Sequence, residues 1–212
     1  MDHELPPSAV HLRDHLRGRF PDRTLAVLPP TAGPIHHRVP GFHIFRLAPA
    51  PREVGWLYVT AGLWDATQHH GHGLEFVLYA AEPSDRHVET VTMTAYYHAA
   101  GGRQALDLGH TVPIGQPWLP RSRCDHLLVS LPYLWEPDLE VCAFPEGHIR
   151  VLWLLPITKA EKVFRREHGL EALEQRLEDA GIDPTDPARA SVVAPPPGPL
   201  RRILRPLLRH DR

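Results

Sequence analysis

Short apolar runs separated by turn residues dominate the first half of the chain. Residues 42–47, 55–62 and 74–81 are rich in branched and aromatic side chains, and Trp56-Leu57-Tyr58-Val59 has the bulk that suits a pleated surface. They predict three strands. Pro83 and Ser84 break the pattern and the period changes. Val88, Val91, Thr92, Ala95 and Tyr96 recur at three- and four-residue spacing, which predicts a helix over 85–100, closed by Gly101-Gly102. A second block of apolar runs follows at 126–131, 139–144 and 149–155, and Pro145-Glu146-Gly147 predicts a hairpin between the last two. Thr158 and Glu161 stand at capping-box spacing, where each side chain can satisfy the other's backbone N–H. They predict a helix carrying Val163 and Phe164, interrupted at Gly169 and continued by Leu170, Leu173 and Leu177 to Gly181. Near the start, Ser8 is placed to cap a helix carrying Val10, Leu12 and Leu16 and bounded by Pro21. The sum is an α+β fold: a mixed, largely antiparallel sheet packed with helices. No internal repeat is visible.

Proline divides the chain. The 24 prolines mostly punctuate the chain, as at Pro29-Pro30, 49–51 and 195–197, and mark connections. The expected organisation is a helix with a proline-rich connection over 1–34, a folded domain over 35–193 and a tail over 194–212. The tail is patterned. Leu200, Ile203, Leu204, Leu207 and Leu208 share one helical face, Arg201, Arg202, Arg205 and Arg209 crowd the other, and Pro206 keeps any helix short. Such a piece suits an acidic partner or an anionic membrane surface, or docks its leucines on the parent domain.

Composition narrows the class. A chain of 212 residues with 42% hydrophobic content buries a core without staples. Its formal charge of -2 gives no global field for nucleic acid. Cys124 and Cys142 are too few for a disulfide framework and read as buried thiols. The acidic, proline-bearing start lacks the apolar stretch of a signal peptide. The longest apolar run, 149–157, is nine residues and contains Arg150 and Pro156, well short of the roughly 18 that a membrane span needs. The expectation is a cytoplasmic protein.

No catalytic motif appears. His69-His70-Gly71-His72 and His36-His37 lack the paired spacing of a structural metal site and read as solvated loops, so no metal or cofactor is expected. No Gly-x-Ser-x-Gly elbow is present, and Ser130 sits inside an apolar run. Cys124 with Asp125 and His126 reads as a possible thiol–imidazole pair, but neighbours on a strand alternate between faces, and Cys124 is expected to be poorly placed for activation unless a turn intervenes. Gly71-His72-Gly73 lacks the third glycine of a phosphate loop, and Asp183 and Asp186 take turn roles. Aromatic placement is the stronger signal. Trp56 and Tyr58 alternate as core residues do, whereas Tyr133 and Trp135 follow Pro132 at a strand exit and are candidates for an interface together with Trp64.

In order along the chain, Trp56-Leu57-Tyr58-Val59-Thr60-Ala61-Gly62-Leu63, Gly73-Leu74-Glu75-Phe76, Gly109-His110-Thr111-Val112, Leu131-Pro132-Tyr133, Leu155-Pro156-Ile157-Thr158 with Glu161, Gly169 with Leu173, and Asp186-Pro187-Ala188-Arg189 with Ser191 resemble the suppressor-of-fused domain family. The resemblance spans residues 55–193, roughly two-thirds of the chain. It implies a mixed α/β sandwich of the single-lobe bacterial kind and a binding role without catalysis. Animal members hold a peptide as an added strand, a mode open to any sheet with a free edge. Some bacterial members are thought to neutralise toxins as immunity proteins. The partner expected from the resemblance is therefore a protein or peptide, a toxin being the sharpest case. Animal members carry an acidic residue where this chain has Gly109, and Asp107 lies out of that register. By motif position Glu75 is placed to pair with an arginine such as Arg189, and His110 to cap a turn. Two other readings stand beside the binding module: a small-molecule site or enzyme built around Glu75, Asp107 and His110, and a scaffold or membrane-surface protein acting through the tail arginines.

Overall fold

A computed structural model describes residues 5–30, 33–71, 73–135 and 137–193. A single mixed sheet of eight strands runs through them in the order β1-β2-β3-β4-β8-β6-β5, with β7 paired to the start of β8. The strands are β1 (Leu25–Leu28), β2 (His43–Leu47), β3 (Trp56–Ala61), β4 (Glu75–Ala80), β5 (Thr111–Pro113), β6 (Cys124–Ser130), β7 (Val141–Phe144) and β8 (Gly147–Thr158). All pairings are antiparallel except β4 with β8. The α+β expectation holds.

Both faces of the sheet are buried, which is why β4 and β8 read as almost unbroken apolar runs. Alternate residues divide between two cores. Tyr58, Phe76, Leu78, Leu152 and Leu154 join one with Val88, Val91 and Ala95 of helix α4 (Asp85–His98). Leu57, Val59, Val77, Val151, Trp153 and Leu155 join the other with Leu12 and Leu16 of α1 (Pro7–Arg19) and Leu173 and Leu177 of α7 (Leu170–Asp179). The result is a three-layer sandwich, helix on sheet on helix. Each fully buried leucine contributes about 1.5–3 kcal/mol.

The expected signals appear with local corrections. The Pro145-Glu146 hairpin joins β7 to β8, with Phe144 opposite Gly147. Thr158 and Glu161 form a full capping box on α6 (Lys159–His168), and Gly169 separates α6 from α7. Ser84 caps α4, its side chain accepting from the Arg86 N–H. Ser8 does not cap α1; Pro6 holds that position, Pro7 opens the helix, and the Ser8 hydroxyl donates to Asp65 of the short helix α3 (Leu63–Thr67). α4 ends at His98, ahead of the glycine pair, and Gly102 instead opens a short 3-10 turn. The proline-rich connection contains β1, and β6 begins at Cys124, two residues early. Leu139 lies in a one-turn helix, α5 (Pro137–Glu140), rather than in β7. The short helix α2 (Ile35–Arg38), which seats Ile35 in the α4-side core, completes the set. Gly62 adopts φ +94 to turn β3 into α3, where an added Cβ would meet the Gly41 carbonyl at 3.0 Å.

Candidate functional site

The C-terminal end of β6, the middle of β8 and one side of α7 enclose a groove of about 530 Å³. Its floor is apolar: Trp153 and Leu155 from β8, Leu177 from α7 and Ile182 beyond it. Its rim is acidic. Glu171, Glu174 and Glu178 line it at three- and four-residue spacing, which keeps them on one side of α7. Among the described residues no cation pairs with any of the three. Glu174 is held in place by other means: the Ser130 hydroxyl donates to it at 2.6 Å and the Tyr133 hydroxyl at 3.3 Å. Burial raises the Tyr133 phenol above its ordinary value, and the neighbouring carboxylates reinforce the shift. Tyr133 and Leu134 stand at the lip, 58% and 53% exposed. The Trp153 indole is 6% exposed, and its Nε1 has no hydrogen-bond partner.

The sequence-predicted residues separate here. Tyr133 is at the groove. Trp135, two residues on, is 8% exposed and packs edge-on against Tyr79 and Trp153, so it props the core beneath the lip. A 3-10 turn over Tyr133–Trp135 sends the two side chains different ways. Trp64 is half-buried against Phe144, on α3. Glu75 is wholly buried. Its carboxylate accepts from the Thr60 hydroxyl at 2.6 Å and the Trp64 N–H at 2.9 Å. It does not pair with Arg189, whose fork is taken by Glu161. With no cation beside it, burial pushes the Glu75 carboxyl up to about 8, so it is protonated at neutral pH. His110 and Asp107 lie at the surface, where the Asp107 N–H donates to His110 Nδ1 and the Asp107 carboxylate binds Arg150 at 3.2 Å. Glu75 is thus buried and bonded to Thr60 and Trp64, whereas Asp107 and His110 are exposed and bonded to each other. Gly109, where an acidic residue was noted in animal proteins, has φ +83, and an added Cβ would meet Arg165 Nη2 at 2.8 Å.

The remaining chemistry-bearing residues are placed as follows. Cys124 and Cys142 are free and buried; burial raises both thiols, Cys142 to about 11. A bulge in β6 lies between Cys124 and His126. His36, His37, His69 and His70 are exposed, and His72 lies outside the described residues. Among the described residues no cluster of three or more metal-ligating side chains occurs, and no helix is long and apolar enough to cross a membrane. Arg201, Arg202, Arg205 and Arg209 lie outside the described residues. The acidic rim was missed from the sequence. Glu171, Glu174 and Glu178 were legible as one helix side, but only the fold shows that a β-strand floor lies beside them.

The family model described as Suppressor of fused protein matches residues 38–190. Among curated proteins, Immunity protein YqcF of Bacillus subtilis (strain 168) is 38% identical over 68 residues, 32% of this chain and 35% of that protein. The match therefore spans about a third of that relative's length. Among solved structures, a suppressor-of-fused homologue from Neisseria gonorrhoeae FA 1090 superposes with a TM-score of 0.78 at 32% identity, covering 89% of this chain and 98% of that one. The Sufu-Fu complex gives a TM-score of 0.66 at 15% identity, covering 89% and 93%. Drosophila Suppressor of Fused gives 0.66 at 16%, covering 89% and 52%. At such identity these last two speak for the fold alone.

Proposed function

The chain belongs to the suppressor-of-fused family, and on that premise we propose that it is a non-enzymatic protein-binding module whose site is the groove between β6, β8 and α7. The observation that carries this is the pairing of an apolar floor with three carboxylates that have no cationic partner among the described residues. An apolar floor supplies affinity, and a rim of one sign selects the partner and its register. The occupant that fits is a segment with apolar anchors and flanking lysines or arginines. The similarity to an immunity protein makes neutralisation of a toxin the sharper form of this reading, and a cytosolic location goes with it. Among the described residues the groove lining contains no histidine, cysteine, lysine or arginine, and the Ser130 hydroxyl is engaged by Glu174.

The test is capture from native cytosol with the full chain, followed by affinity measurement on whatever is retained. Tyr133→Ala with Leu134→Ala is expected to weaken binding by about 2 kcal/mol or more, since exposed aromatic and aliphatic anchors dominate interfaces. Its melting temperature should barely move, because both side chains are more than half exposed. Trp135→Ala should do the reverse, destabilising the fold by about 3–5 kcal/mol through the cavity it leaves. A partner held equally well by the Tyr133/Leu134 variant would place the site elsewhere.

A further inference from the structure

The tail has the chemistry that the groove lacks. The acidic rim has no cationic partner among the described residues, and the floor is apolar with an unpartnered, buried indole N–H. The segment 200–212 carries Leu200, Ile203, Leu204, Leu207 and Leu208 against Arg201, Arg202, Arg205 and Arg209. We infer that this segment of the chain occupies its own groove, its leucines on Trp153, Leu155 and Leu177 and its arginines on Glu171, Glu174 and Glu178, so that any partner must displace it.

Two further observations support this. The first is where the described chain leaves the fold. Arg189 is clamped to Glu161, the Val192 N–H donates to Glu161 Oε1 at 2.9 Å, and Val192 and Val193 pack against the same core that contains Trp153, Leu155, Leu177 and Ile182. The chain is therefore delivered to the face of the sheet that bears the groove. The second is reach. Residues 194–199 are six, four of them proline, and such a run spans about 19 Å when drawn out at ~3.1 Å per residue. A tethered segment also acts at an effective concentration in the millimolar range, so a weak intrinsic affinity suffices to close the groove. The inference deepens the proposed binding role, since it makes the tail a built-in competitor at that site.

A paramagnetic label tests it on the full chain, with no partner present. His210→Cys supplies a thiol within the tail, whereas Cys124 and Cys142 are buried with raised pKa values and react poorly at neutral pH. With a nitroxide there, amide signals of Ser130, Leu131, Tyr133, Leu134 and residues 171–183 are expected to be lost selectively. Glu171→Lys with Glu178→Lys, both on the exposed side of α7, should restore them while leaving the rest of the amide spectrum in place. Uniform signals, loss over another face, or loss that survives the charge reversal would each overturn the assignment. So would a label that leaves the groove signals intact yet binds phosphatidylserine vesicles, which would assign the segment to membrane. The outcome is separate from that of partner capture: signal loss without a captured partner upholds the docking and counts against the binding role, and a captured partner without signal loss does the opposite.

Discussion

At the residue scale, Glu75 departs furthest from its ordinary chemistry. It sits in β4 with no exposed surface, bonded to Thr60 and the Trp64 backbone, and its carboxyl is raised from 4.5 to about 8. The unfolded chain releases this proton above about pH 4.5, while the folded chain keeps it until about pH 8. The stability it supports is therefore complete below 4.5, falls across that window and is level above it. His87 opposes this. Burial against Tyr58 and Trp118 lowers it from 6.5 to about 4, so its contribution is complete above 6.5 and is lost as pH falls toward 4. The two slopes cancel between 4.5 and 6.5, leaving a net fall from 6.5 to about 8. Glu75→Gln keeps the size and an amide that can still bond Thr60. It should abolish that fall, a difference of a few kcal/mol between about pH 6 and pH 9. Thermal melts of both proteins across that range check this. Parallel curves would mean that Glu75 is ionised in the native state.

At the scale of elements, Glu161 joins three parts of the fold. It completes the capping box of α6, accepts the Val192 N–H and takes both arms of the Arg189 fork at 2.8 Å. Arg189 also donates to the Pro156 carbonyl of β8 at 2.9 Å. Burial pushes the Glu161 carboxyl up, but the Arg189 hydrogen bonds and charge outweigh it and leave it below its ordinary value. Its contribution is thus present above pH 4.5 and is lost as pH falls below. Arg189→Ala leaves a buried carboxylate unpaired and is expected to cost about 3–5 kcal/mol in denaturant unfolding. Arg189→Met with Glu161→Gln should cost less than Arg189→Ala, because no charge is left stranded. Equal losses would show that packing rather than charge holds the segment.

This clamp also shows what was legible beforehand. Thr158 and Glu161 declare their cap because the interaction is local, and the Pro145-Glu146 turn is equally local. The partner of Glu161 lies 28 positions away, and nothing near Glu75 or Arg189 in sequence says which pairs with which. β1 was hidden for a different reason. It is four residues next to Pro29-Pro30, too short for a period to show, and it becomes a strand because β2 offers an edge. At the candidate site, Tyr133 and the glutamates could be read as surface chemistry, but the burial of Trp135 depends on a turn that the residues around Pro132 do not announce.

At the scale of the whole molecule, the proposed docking of the tail would set it against a basic partner for one groove, each bringing positive charge to Glu171, Glu174 and Glu178. Charge steers a basic partner toward the rim, and salt screens that steering: the Debye length shrinks from ≈ 10 Å at 0.1 M to about 3 Å at 1 M. Partner affinity alone would therefore fall as salt rises, mostly through the association rate. The same screening would loosen a docked tail and free the groove. The two effects oppose, so the full chain should show a shallow salt dependence. A variant with Arg201, Arg202, Arg205 and Arg209 changed to Glu has no internal competitor. It should bind its partner several-fold more tightly at about 0.05 M salt and lose that advantage toward about 0.5 M. Stopped-flow association and dissociation rates of the two proteins over that range check this. A steep slope in the full chain, matched by the variant, would mean that the tail does not contest the groove and that rim charge alone sets the response.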